Sequence, residues 1–201
     1  MSPQADFYFD YGSPTSYLAY VQMPGLAERT GAVINYKPIL LGGVFQATKN
    51  ASPMDVPAKR TWMLKDMAFF ARRYGVPFQY NPHFPINTLH LMRGAIWSRR
   101  EGVLLPYSDA IFRAMWADGL DLSQPGVISD VLTRAGIDAE RLMAGTQEAS
   151  IKEALKAETD AAVQRGLFGA PVLVVGDELF FGQDRVAYAE EQLRAHERTS
   201  S

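Results

Sequence analysis

The chain contains no cysteine. That absence excludes disulfides, a protein thiol nucleophile and any cysteine metal site, so the protein cannot itself be a dithiol oxidoreductase. It also lacks an apolar run near the ~18 residues that a membrane-spanning helix needs. It has no excess of cations, since 20 Lys and Arg against 22 Asp and Glu leave a formal net charge of −2. Broad electrostatic binding to nucleic acid or to an anionic membrane is therefore not expected, and any bound anion must be met locally. Histidine is scarce, with 3 in the chain. His83 and His90 do not have the His-x-x-x-His spacing of a helical metal site, so no metal is expected. The first residues, Met1-Ser2-Pro3-Gln4-Ala5-Asp6, run into a strand-like segment without a basic start or a cleavage signal, which makes the cytoplasm the expected location.

What is present is enough apolar sequence for a sizeable core: 201 residues, 47% hydrophobic. The aromatic run Asp6-Phe7-Tyr8-Phe9-Asp10-Tyr11 reads as a buried strand, stopped by Gly12-Ser13-Pro14. Proline is tolerated in a first helical turn, so a helix is expected from Pro14 to about Thr30, with Ser13 at its N-cap and Gly31 as its stop. Residues 32–39 predict a second, parallel strand and hence a right-handed β-α-β unit. From Leu41 to Ser52 the Gly, Thr, Asn, Ser and Pro content predicts a loop.

Met63, Met67, Phe70 and Tyr74 recur at helical spacing and predict a helix over 58–74 that ends at Gly75. Further helical faces are marked by Tyr107, Ile111 and Met115, by Val127, Val131 and Ala135, and by Ile151, Leu155 and Ala162. Glu148 and Lys152 are spaced as an i, i+4 ion pair. Residues 172–181 predict a hairpin around Gly176-Asp177, and a last helix is expected over 184–198. The order is β-α-β, a helical block, then β-β-α.

That order resembles the DsbA-like branch of the thioredoxin superfamily, including kappa-class glutathione transferases and 2-hydroxychromene-2-carboxylate isomerases. The residues that carry the resemblance are Phe9-Asp10-Tyr11-Gly12-Ser13-Pro14-Thr15-Ser16-Tyr17-Leu18-Ala19, Asn50-Ala51-Ser52-Pro53 with Val56-Pro57-Ala58-Lys59, Phe84-Pro85-Ile86-Asn87-Thr88, Phe168-Gly169-Ala170-Pro171 and Phe181-Gly182-Gln183-Asp184-Arg185. The resemblance implies an α/β, thioredoxin-like βαβ–ββα core formed by residues 1–42 and 166–201, with an all-helical insertion over 43–165. It implies glutathione as cofactor, a small aromatic substrate and a homodimer. It further implies that Ser13 contacts the glutathione sulfur and that Pro171 is cis. Gln183 and Asp184 would receive the γ-glutamyl end, and Asn50 and Lys59 would complete the binding set.

Each residue also has a plain structural reading. Ser13 before Pro14 can be an N-cap alone. The same place at a helix start lets a hydroxyl donate to a thiolate where N–H groups and the helix dipole already favour an anion. No Gly-x-Ser-x-Gly elbow surrounds Ser13, which argues against a serine hydrolase. A cis Ala170-Pro171 bond would turn the Ala170 backbone toward a ligand, where it could pair as an added strand does. Asp184 can cap a helix or meet an ammonium, and Lys59 is either a solvated lysine or a partner for a ligand carboxylate. Asn87 either orients a substrate oxygen or shapes its own loop. Trp62, Phe70, Trp97 and Trp116 divide between core and an aromatic pocket. The functional expectation is a glutathione-dependent isomerase. A kappa-like transferase and a non-catalytic glutathione- or peptide-binding module remain as alternatives.

Overall fold

A computed structural model describes the backbone of residues 2–199 and side chains up to residue 195, so the ends of the expected 1–42 and 166–201 segments, Met1 and Ser200-Ser201, lie outside the described residues. Four strands form one mixed sheet in the order β2-β1-β3-β4. Strand β1 (Gln4–Phe9) pairs parallel with β2 (Val33–Pro38), Phe7 opposite Tyr36, and antiparallel with β3 (Val172–Val175), Phe7 opposite Leu173. Strand β4 (Glu178–Phe181) closes the expected hairpin on β3.

The period of two along a strand divides the apolar residues between the faces. Phe7, Phe9, Leu173 and Val175 join the larger core with Trp116 and Phe112, whereas Tyr8, Val172 and Val174 enter a smaller core with Ile39, Val44 and Ala162. Both faces of β3 are thus covered, which is why Val172-Leu173-Val174-Val175 is apolar without interruption.

The expected helix over 14–30 is two helices, α1 (Pro14–Tyr20) and α2 (Met23–Thr30). Pro24 has no N–H for an intrahelical bond, and the chain turns at Val21-Gln22, where the Gln22 N–H donates to the Ala19 carbonyl at 2.9 Å. Gly31 ends α2 in the left-handed conformation, as expected. The expected loop over 41–52 is largely helical: α3 spans Leu41–Thr48, so a boundary after residue 42 falls inside a helix. Gly43 allows close packing on α9 (Ala149–Gln164), since a Cβ there would lie 3.2 Å from the Thr159 methyl.

A single 3-10 turn at Pro53–Asp55 leads into α4 (Pro57–Tyr74), which stops at Gly75. The helical block continues through α5 (Leu89–Arg100), α6 (Leu104–Trp116), α7 (Pro125–Arg134), α8 (Ala139–Gly145) and α9. A second 3-10 turn, Gln183–Arg185, precedes α10 (Val186–Thr199). The expected Glu148–Lys152 pair gives way to a longer-range one. Glu148 lies at the N-cap of α9, and its carboxylate receives two hydrogen bonds from Arg100, at 2.6 and 3.0 Å.

Close packing within the block depends on Gly94. A Cβ there would collide with the Tyr107 hydroxyl, which donates to the Leu91 carbonyl at 2.8 Å. Gly94→Ala is expected to destabilise the protein by about 2–3 kcal/mol, the upper range for overpacking. Urea unfolding would report this as a lower midpoint with an unchanged slope.

Candidate functional site

The C-terminal end of β1 turns abruptly at Gly12, and that turn is held by a buried carboxylate. Asp10 is 1% exposed; its Oδ1 accepts from the Gly12 N–H and the Thr88 hydroxyl and its Oδ2 from the Leu41 N–H, each at 2.8 Å. One side chain therefore joins the end of β1, the start of α3 and the approach to α5. Burial raises its pKa above the ordinary carboxylate value, against the opposing effect of those donors. Trp116 fixes the neighbouring residue by donating its indole N–H to the Tyr11 carbonyl at 2.7 Å, while the Tyr11 and Ser108 hydroxyls lie 2.8 Å apart.

Ser13 is held between these supports. Its Oγ accepts the Ser16 N–H at 3.1 Å as the N-cap of α1, lies 3.0 Å from the Thr15 hydroxyl, and donates to the Ala170 carbonyl at 3.2 Å. The capping reading is therefore correct as far as the acceptor lone pairs go, and it leaves the hydroxyl proton available to another partner. Because α1 is only 7 residues long, the expected contribution of a long helix dipole is reduced.

The Ala170–Pro171 peptide bond is cis, as is Phe84–Pro85. Gly182 has φ 108°, in the region that favours glycine, and a Cβ there would meet the Asp184 carboxylate at 2.6 Å. Gln183 is 5% exposed, and its carbonyl accepts from Gln22 Nε2 at 3.1 Å and from the Tyr74 hydroxyl at 3.2 Å. Asp184 faces the long, exposed ion pair to Arg185 at 3.9 Å, a contact too weak to hold it from a ligand.

Together these groups surround an open cavity of about 480 Å³. Ser13, Asn50, Ala170, Pro171, Gln183 and Asp184 all line it. Asn50 is exposed, donating to the Phe168 carbonyl at 2.9 Å and accepting from the Ala51 N–H. Lys59 and Asn87 do not line the cavity. Lys59 is exposed in the first turn of α4, and the Asn87 side chain accepts the Leu89 N–H at 3.0 Å, so the local reading of Asn87 accounts for its observed contact. Of the four aromatic candidates only Trp62 reaches the cavity, whereas Trp97 and Trp116 are core.

Several lining residues carry no motif. Asp66 shares the cavity with Asp184, and burial, followed by the charge of Asp184, raises its pKa. Two carboxylates therefore line one space. Met63 and Met67 follow helical spacing in the sequence and line the cavity together with Tyr80 and Phe84. Tyr80 belongs to the irregular segment between α4 and α5, which periodicity does not read. Among the described residues no group of His, Asp and Glu could hold a metal ion, and no helix is long and apolar enough to cross a membrane.

Residues 4–194 match the model of the DSBA-like thioredoxin domain. A 2-hydroxychromene-2-carboxylate isomerase of Sphingobium xenophagum is 34% identical over 96% of this chain and 99% of its own length. A glutathione S-transferase kappa 2 of Caenorhabditis elegans is 28% identical over 90% of this chain and 87% of its own. A solved structure described as a 2-hydroxychromene-2-carboxylate isomerase aligns with a TM-score of 0.86 and 29% identity, covering 98% of this chain and 97% of the other.

Proposed function

Because the chain belongs to the DSBA-like thioredoxin family, and within it to the 2-hydroxychromene-2-carboxylate isomerases, we propose that it is a glutathione-dependent isomerase that interconverts 2-hydroxychromene-2-carboxylate and trans-o-hydroxybenzylidenepyruvate. The observation that carries this reading is the Ser13 hydroxyl, with one donatable proton, at the wall of a cavity in a chain without cysteine. The cavity volume lies within the ~300–1,000 Å³ range of small-molecule sites. Its donor set suits a tripeptide with a charged head. Bound glutathione supplies a thiol that, once ionised, adds reversibly to the alkene conjugated with the substrate ketone, permits rotation and leaves again unconsumed.

Ser13 does its work by exchanging partners. In the structure its proton is directed to the Ala170 carbonyl. In this reading a peptide N–H of the ligand takes over that carbonyl, and Ser13 then donates to the sulfur instead. Thr15 supports the exchange, because its hydroxyl can donate to Ser13 Oγ across 3.0 Å and direct the serine proton outward. Pro171 forms the floor beside the ligand backbone. Asp66 and Asp184 receive the γ-glutamyl ammonium, and Gln183 contributes to the carboxylate end. Asn50 and Lys59 take the glycine end, Lys59 from a position one helical turn before Met63 on the same face of α4.

Trp62, Met63, Met67 and Phe84 form the apolar wall for the aromatic substrate. Asn87, engaged with Leu89, shapes the segment that leads to Thr88 and its bond to Asp10. The same reading takes the protein as a cytoplasmic homodimer in aromatic catabolism, with residues 1–42 and 166–201 as the thioredoxin-like part and 43–165 as the insertion.

Stopped-flow isomerisation with and without glutathione tests the proposal. The expected result is a rate that depends on glutathione while its total concentration stays constant. A stable adduct would favour a kappa-like transferase, and a rate indifferent to glutathione would remove the proposed activity.

A further inference from the structure

Tyr80 is the tyrosine that lines the cavity. The hydroxyls of Tyr8, Tyr11, Tyr17, Tyr20, Tyr74 and Tyr107 each engage a protein group, whereas among the described residues those of Tyr36, Tyr188 and Tyr80 make no hydrogen bond to the protein, and of these three it is Tyr80 that lines the cavity. Its ring is nevertheless well held, packed against Phe84 and Trp116 with centroid separations of 5.7 and 5.9 Å.

The backbone on either side of Tyr80 is equally fixed. The Gln79 N–H donates to the Trp116 carbonyl at 2.8 Å, and the buried Asn81 amide donates to the Met115 and Leu120 carbonyls, both at 2.9 Å. A well-held phenol without a protein partner, lining a cavity that Met63, Met67 and Phe84 also line, is a preorganised donor available to a ligand.

Resting on the proposed isomerase reading, we infer that Tyr80 is a further catalytic residue, whose hydroxyl donates a hydrogen bond to the substrate ketone oxygen. When the sulfur–carbon bond forms at the alkene carbon remote from the ketone, the alkene electron pair moves toward the carbonyl carbon. The negative charge that leaves sulfur then gathers on the ketone oxygen. No proton is transferred, and the reverse movement of the same electrons re-forms the ketone and the alkene and releases the sulfur. A donor at that oxygen stabilises charge that is absent from the starting ketone, so its effect falls on kcat more than on KM. Burial raises the phenol pKa, opposed by the charge of Arg60, whose Nε is fastened to the Met54 carbonyl of the cavity wall at 2.7 Å. The hydroxyl thus remains protonated at neutral pH, as a donor must.

Tyr80→Phe removes the oxygen without disturbing any protein hydrogen bond, so its urea midpoint should match the wild type. Without glutathione, bound trans-benzylidenepyruvate should absorb at longer wavelength on the wild-type protein, where its ketone is polarised, and lose that displacement on Tyr80→Phe. With glutathione, kcat for isomerisation should fall about 100-fold, the effect of one lost donor of this kind. The ionisation of bound glutathione should be unchanged. An identical absorption band on both proteins, or full kcat in Tyr80→Phe, overturns the inference. A wild-type rate that ignores glutathione overturns the proposed function instead, and the absorption comparison then judges Tyr80 by itself.

Discussion

Replacing Ser13 with alanine should return the thiol of bound glutathione to an apparent pKa near ~8.5, the ordinary value for a free thiol. A hydrogen bond to a charged group contributes about 1.5–3 kcal/mol, equivalent to a rise of about 1–2 pKa units when it is lost. At pH 7 the thiolate population, and with it the isomerisation rate, should fall by roughly 8- to 25-fold. The sign of the pH dependence separates this role from simple loss of structure. Above pH ~9 the thiol ionises unaided, so the gap between wild type and Ser13→Ala should narrow.

The loss of the N-cap bond to Ser16 also costs about 1 kcal/mol of stability, which does not vary in that manner. Titration of the bound thiolate absorbance would provide the test. An unchanged pKa in Ser13→Ala would leave the serine as a cap only.

The second large effect is expected at Asp10. Asp10→Ala leaves the part-buried Gly12 and Leu41 N–H groups and the buried Thr88 hydroxyl without their acceptor, and at about 1–3 kcal/mol for each of the three the loss is about 3–9 kcal/mol. Urea unfolding at neutral pH should show it. Asp10→Asn keeps one oxygen and should cost less, about 1–3 kcal/mol, because only one side of the carboxylate is converted to a donor.

The two wild-type protonation states differ in the opposite sense. The folded pKa of Asp10 is raised, so the native state binds more protons than the unfolded chain between the unfolded value near ~3.9 and the folded one. The Asp10 contribution is full below that interval and is lost as pH rises through the folded pKa. The stability advantage of wild type over Asp10→Asn should therefore grow on acidification from neutral pH toward pH ~4. A pH-independent difference between the two proteins would contradict this account of the carboxylate.

Where local chemistry decided structure, the sequence was readable. The second strand near residues 33–38, the hairpin at Gly176-Asp177 and the stops at Gly31 and Gly75 each follow from residues within a few positions of the event, and the first strand, expected over 6–11, lies two residues earlier at Gln4–Phe9. The misreadings share a different cause. Leu41-Gly42-Gly43 has loop composition, yet it begins α3, where Gly43 packs closely on Thr159 of α9, a contact across more than a hundred residues of sequence. Glu148 found Arg100 on another helix before Lys152 on its own.

The candidate site divides along the same line. Ser13, Ala170-Pro171 and Gln183-Asp184 come from compact motifs and meet at one cavity. Asp66 lies mid-helix, where only the rotation of α4 brings it to Asp184, and Tyr80 lies in an irregular segment whose direction is set by Trp116, Met115 and Leu120. Neither had a local signal beyond its residue type.

The bond from Ser13 to the Ala170 carbonyl has a consequence for thiol discrimination. Under the proposed function it makes the resting site self-quenched, since the proton that would stabilise a thiolate is occupied until an amide displaces it. A small thiol without a peptide N–H, such as 2-mercaptoethanol, reaches the serine but does not vacate the carbonyl. Recognition of the ligand backbone and activation of its sulfur are then one linked event, and selectivity for a peptide thiol is built into the redirection of one hydroxyl proton from a carbonyl oxygen to the ligand sulfur.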